Sequence, residues 1–154
     1  MSERTSGLAA AVIRPARASY GSRSERIASA VTVGLLTGLA TAMATYTLWQ
    51  TSLAPGWAGD TVMAALVFAA GALVKLLCQN LETSVLALSI AVVAGAALTA
   101  AAGVAPYLLL DIGTLGGIVL LPELRDVITL VVFGQVPLLL FGYLVAIVYD
   151  GATA

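Results

Sequence analysis

The sequence has no histidine, one cysteine and one lysine among its 154 residues. Without histidine, and with Cys78 as the single thiol, the ligand sets of zinc and haem centres and a histidine-based hydrolase site are missing, and no disulfide can form within the chain. Charged residues make up 10% of the sequence and hydrophobic residues 60%, whereas about a quarter of a soluble domain is charged. We therefore expect a protein that faces lipid, is not an enzyme, and holds no metal or other cofactor.

Positive charge is scarce after the first 26 residues. Beyond them lie two cations, Lys75 and Arg125, against six acidic residues. The tail itself carries five arginines: Arg4, Arg14, Arg17, Arg23 and Arg26. This asymmetry fits membrane orientation better than nucleic-acid binding, so we predict a largely disordered cytoplasmic tail at 1–26 and no nucleic-acid partner. The use of arginine over lysine, with acidic loops, also suggests a halophilic archaeal source.

Residues 27–49 form a stretch of 23 residues without a charge. An α-helix of that length is about 34 Å long, enough to cross a hydrocarbon core of about 30 Å. A cleaved secretory signal is the competing interpretation, since residues 42–44 resemble a small-x-small cleavage site. The apolar run is too long for a typical signal, and we predict a retained membrane span.

Three further spans are predicted at about 61–78, 84–110 and 124–149, with a short cytoplasmic C-terminus at 150–154. The five-residue link at 79–83 predicts a tight antiparallel hairpin between the second and third spans. The sequence thus predicts an all-α integral membrane protein of the cell membrane, with four transmembrane helices in an antiparallel bundle and both termini in the cytoplasm.

The segment between the third and fourth spans is ambiguous. Residues 104–121 are apolar, but Asp111 at a membrane centre would cost about 2.5–3.5 kcal/mol. Gly113, Gly116 and Gly117 should also break a helix. We expect the third helix to pass Pro106 and end near residue 110, followed by a short external excursion; this segment is either interfacial or re-entrant.

Two stripes of small residues predict close helix packing. Residues at a spacing of four share one helical face, and small side chains let two backbones approach in a membrane. The first stripe contains Ala30, Gly34, Gly38 and Ala42. The second stripe contains Ala87, Ala91, Gly95, Thr99 and Gly103. Packing within the chain is favoured over a homodimer contact, and the second stripe is expected to receive the first or the second span.

Few polar side chains fall within or beside the spans. We expect Lys75 to reach the cytoplasmic headgroups and to pair with Glu82, either as an interfacial anchor or as an ion or proton site. Gln135 lies beside Gly134 and Pro137, which should bend the last helix. Its amide would bond a neighbouring helix or line a polar path.

Two functions remain open from the sequence. The first is an accessory, scaffold or structural subunit that acts through helix–helix contacts, with the lipid bilayer, a second copy or another membrane protein as partner. The alternative is an oligomeric transporter or channel subunit with a polar path near Gln135 and Asp111.

Overall fold

The computed structural model describes residues 23–50, 59–78, 80–109 and 114–153, and within them it contains helices and no strand. The elements are α1 (Arg23–Trp49), α2 (Asp60–Leu77), α3 (Leu81–Leu109), α4 (Thr114–Leu130), a π-helical turn (Val131–Gln135) and α5 (Val136–Thr153). Four helices are long and apolar enough to cross a membrane: Arg23–Trp49, Asp60–Leu77, Leu81–Pro106 and Leu121–Ala152. The prediction of an all-helical chain with four such helices is confirmed.

The first helix begins earlier than the sequence predicts. Arg23 and Arg26 were expected in a disordered tail, but both belong to the first turn of α1. Glu25 lies in the same turn, where its negative charge is favourable at the positive end of the helix dipole. The other three tail arginines, Arg4, Arg14 and Arg17, lie outside the described residues.

The fourth membrane-length helix also differs from the prediction. Helix α4 begins at Thr114 and includes Gly116 and Gly117, so the expected break by these glycines is wrong. A glycine costs a helix about 1 kcal/mol, whereas an unpaired backbone group in lipid costs several. Asp111 and Gly113 lie outside the described residues.

The C-terminus is not a short free end. Helix α5 continues through Asp150 to Thr153, so the boundary expected at residue 149 is wrong by about one turn. The third helix does pass through Pro106, as predicted.

The disturbance expected at Gly134 and Pro137 takes the form of the π-helical turn. The Val136 N–H donates to the carbonyl of Val131, five residues back. Pro137 has no N–H, and its ring would clash with the carbonyl of Phe133 in a regular α-helix. The extra residue in the π turn relieves that clash while the chain stays helical.

The closest helix contacts join helices that are not neighbours in sequence. Along α1 and α3, Gly34 lies opposite Ala87, Gly38 opposite Ala91, and Trp49 opposite Gly103. Both numbers of each pair increase together, so α1 and α3 run parallel. This contact is the most extensive in the bundle, and the contact between α2 and α5 is next.

Helices α2 and α3 have little contact with each other. The expected tight hairpin between them is therefore wrong, although the two helices are antiparallel. The physical reason lies in their partners. Helix α3 places its small residues against α1, and α2 packs against α5, so the short link connects diagonal corners of the bundle.

Candidate functional site

The contact between α1 and α3, here called the α1–α3 seam, contains both predicted small-residue stripes. All nine residues are buried: Ala30, Gly34, Gly38, Ala42, Ala87, Ala91, Gly95, Thr99 and Gly103. A methyl group added at Gly34 would lie 2.7 Å from the carbonyl oxygen of Ala87. One added at Gly38 would lie 3.0 Å from the backbone nitrogen of Gly95. The backbones therefore approach within a distance that only glycine allows at Gly34.

A polar cluster lies in the middle of this seam, and we call it the Gln135 cluster. Gln135, at the end of the π turn, donates from Nε2 to Thr41 Oγ1 at 3.2 Å. Its Oε1 lies 3.2 Å from Thr99 Oγ1, a donor on α3. The side chain thus bonds α1 and α3 at once, and only 3% of its surface is exposed.

Gly95 makes room for this cluster. A methyl group at Gly95 would overlap the amide nitrogen of Gln135 and lie 2.9 Å from Thr41 Oγ1. The glycine therefore acts twice, since it lets α1 approach and it leaves space for the amide of the last helix.

Each threonine of the cluster also bonds its own helix. Thr41 Oγ1 donates to the carbonyl of Gly38 at 3.1 Å, and Thr99 Oγ1 lies 2.8 Å from the carbonyl of Gly95. A hydroxyl has one proton, so Thr99 shares its proton between its own backbone and Gln135. None of these groups is charged, and the cluster therefore joins helices rather than supplying an acid or base.

Thr41 was missed from the sequence. Its signal was present, because Thr37, Thr41 and Thr45 recur every four residues beside the glycine stripe, and all three are buried. A threonine that bonds its own backbone is tolerated in any apolar helix, so the spacing alone did not single out Thr41.

Thr45 differs from the other hydroxyls of this face. It is 1% exposed, and its Oγ1 has no hydrogen-bond partner among the described residues. An unpaired buried hydroxyl is uncommon and unfavourable, so Thr45 is the place in α1 where the bundle leaves a polar group unsatisfied.

A second close contact, the α2–α5 seam, joins α2 to α5 through single glycines. A methyl group at Gly71 would overlap the carbonyl of Leu139, and one at Gly142 would overlap the carbonyl of Phe68. Leu139 and Val67 are fully buried beside them. The sequence analysis identified neither glycine, since neither belongs to a repeated pattern.

Lys75 lies at one end of the α2–α5 seam. Its Nζ is 2.7 Å from Asp150 Oδ2, and the two side chains are 9% and 60% exposed. The expected partner Glu82 is itself exposed, and the expectation that Lys75 extends to the headgroups is wrong. Because α5 continues to Thr153, it brings a carboxylate to the lysine from a helix that α2 already contacts.

Ser84 and Tyr143 share a buried hydrogen bond of 2.8 Å near the same end. Ser84 also donates to the carbonyl of Leu81 at 2.9 Å or accepts from Tyr143, depending on where its proton lies. This bond ties the start of α3 to α5. Together with Lys75 and Asp150, it closes the end of the bundle at which α1 and α3 begin.

The structure does not bring the remaining candidate residues into one site. Gln135 lies mid-bundle and Lys75 at the end, while Asp111 falls outside the described residues. In the described ranges, no group of three or more histidine, cysteine, aspartate or glutamate side chains is placed to hold a metal ion.

Comparisons with known proteins found no match to this chain among family models, curated proteins or solved structures. The expectation of a halophilic archaeal source therefore has no support from relatives. What the structure supports is the class: a small protein whose four apolar helices are compatible with a membrane-embedded bundle.

Proposed function

We propose that this chain is a multi-pass membrane subunit that acts through helix–helix contacts, as an accessory, scaffold or structural component, with both termini in the cytoplasm. The Gln135 cluster is the observation that supports it. The strongest polar side chain inside the membrane-length helices is used to hold α1, α3 and the π turn together.

The outer surface of the bundle supports the same proposal. Large apolar side chains are exposed on every membrane-length helix, among them Leu36 on α1, Val93 on α3 and Phe133 in the π turn. Lipid covers such a surface by default, and so can the apolar face of another membrane protein. A subunit of this kind needs no catalytic group of its own.

Position-specific crosslinking tests this proposal. A photoreactive residue is placed in native membranes at Phe133, which is 78% exposed, at Val93, which is 69% exposed, or at Leu139, which is 0% exposed. We expect one or more exposed positions to crosslink reproducibly to the same membrane protein, in fixed stoichiometry, while Leu139 links only within the chain. Crosslinks to lipid alone from every exposed position would contradict a scaffold role.

A transporter or channel subunit is the second candidate, and one observation favours it. The unpartnered hydroxyl of Thr45 lies one turn from Thr41, so polar groups extend beyond the Gln135 cluster along α1. This function predicts solute flux in liposomes that Gln135→Leu or Asp111→Asn abolishes while the protein still folds. Absence of flux from the wild-type chain at defined stoichiometry would exclude it.

A further inference from the structure

Arg26 continues the line of small residues on α1. It precedes Ala30, Gly34 and Gly38 at the same spacing of four. Because Gly34 lies opposite Ala87 and Gly38 opposite Ala91, the same register places Arg26 opposite the first turn of α3. The guanidinium thus belongs to the end of the α1–α3 seam.

Arg26 differs from the other cation at this end of the bundle. Lys75 is neutralised by Asp150. The Nε of Arg26 is buried and has no hydrogen-bond partner within the described ranges, and Glu82, in the facing turn of α3, makes no ion pair with it. A buried donor of a charged group without an acceptor is costly, so Arg26 requires an anion that the described chain does not supply.

The surroundings of Arg26 favour an anion at the membrane surface. Arg23 lies three residues earlier on the same side of α1 and is exposed, and Arg14 and Arg17 precede both in the sequence. The first 26 residues carry five arginines against two glutamates. The side chain of Arg26 is only partly buried, so a ligand can reach its guanidinium without refolding the bundle.

We propose that Arg26, supported by Arg23, binds the phosphate headgroup of an anionic phospholipid at the end of the α1–α3 seam. A guanidinium forms paired hydrogen bonds with a phosphate, and arginines near a membrane surface are attracted to anionic lipids. This inference goes beyond the accessory role and does not depend on it.

Lipid titration of the purified full-length chain tests the site. Phosphatidylglycerol and phosphatidylcholine are added separately in a mild neutral detergent, and bound lipids are counted by native mass spectrometry. We expect the wild type to prefer phosphatidylglycerol. Arg26→Gln should weaken that binding about five-fold and leave phosphatidylcholine unchanged, since one arginine near an anionic surface contributes on this scale. Arg26→Lys should retain most of the preference, because the charge remains.

Two matched variants separate this site from general charge attraction. Arg125 is exposed and lies at the other end of the bundle, so Arg125→Gln should leave binding unchanged. A variant with Arg4, Arg14 and Arg17 replaced by glutamine should keep the effect of Arg26→Gln. The proposal is overturned if Arg26→Gln binds like the wild type, if the tail variant alone removes the preference, or if millimolar inorganic phosphate displaces the lipid. Circular dichroism of each variant must show the wild-type helix content.

Discussion

The two close seams of this bundle achieve the same approach of backbones in different ways. The α1–α3 seam uses nine small residues in two regular stripes and adds the polar Gln135 cluster at its middle. The α2–α5 seam uses Gly71 and Gly142, each against the carbonyl of a large residue. In the first seam, closeness is distributed along two helices; in the second, it depends on two positions.

This difference has a physical consequence. In a membrane, association relies on packing and hydrogen bonds because lipid is as apolar as the side chains. A distributed seam has many small contacts, so a single added methyl group meets atoms that can shift slightly. A seam that depends on two glycines presents backbone to backbone, and backbone cannot move away from an added methyl group.

The largest effects are expected in the α2–α5 seam. Gly71→Ala and Gly142→Ala each place a methyl group on a backbone carbonyl, and we expect each to destabilise the fold by about 3 kcal/mol, the upper part of the usual range for overpacking. Unfolding in mixed micelles with rising sodium dodecyl sulfate, followed by circular dichroism, measures it. Gly151→Ala is the control, because a methyl group there meets no atom within 4 Å. Equal stability of all three variants would remove the distinction between the seams.

Within the α1–α3 seam, the two glycines should differ in their effect. A methyl group at Gly34 would lie 2.7 Å from both the Ala87 oxygen and Ile90 Cβ, whereas one at Gly38 would be no closer than 3.0 Å to any atom. We expect Gly34→Ala to cost about 2 kcal/mol and Gly38→Ala about 1 kcal/mol in the same unfolding assay. The reverse order would mean that the register between α1 and α3 is not the one described.

The ion pair at the end of the α2–α5 seam should matter less than its glycines. Asp150→Asn leaves the buried ammonium of Lys75 without a counter-charge, but Asp150 is 60% exposed, so water screens the pair. We expect a loss of about 1 kcal/mol, the upper limit for a partly exposed ion pair, in the same assay. Glu82→Gln is the matched control, and stability should not change. If Glu82→Gln is the more damaging of the two, Lys75 pairs with Glu82, as the sequence first indicated.

The smallest effect should distinguish two threonines on α1. Thr41→Val removes the acceptor of Gln135 Nε2 and should cost about 0.6–1.7 kcal/mol, the range for hydrogen bonds between membrane helices. Thr45→Val removes a hydroxyl without a described partner and should leave stability unchanged or raise it by up to about 1 kcal/mol. A loss at Thr45 comparable to that at Thr41 would show that the Thr45 hydroxyl is bound by water or solute.

Much of the architecture was predictable because its signals are local. Stretches of apolar residues gave four helices, and the spacing of four singled out the residues that lie in the α1–α3 seam. The errors were also local in origin. Glycines at 116 and 117 are helix breakers in water, but an apolar environment favours paired backbone, and α4 includes them.

The polar contacts were less predictable. Gln135 stood out as a polar side chain in an apolar helix, yet its partners Thr41 and Thr99 lie 94 and 36 residues away in the sequence. Lys75 was given the nearest acid in sequence, whereas its partner lies 75 residues away.

By itself the sequence determined that this is an apolar four-helix protein, that its arginines lie at the start of the first helix, and which small residues of α1 and α3 would be suited to close contact. These properties follow from composition and spacing within one helix. Only the tertiary structure decided that α1 runs parallel to α3, that α2 meets α5 through Gly71 and Gly142, and that Asp150 neutralises Lys75. Each of these depends on the register between distant helices, which arises from the fit of whole surfaces and leaves no local pattern in the chain.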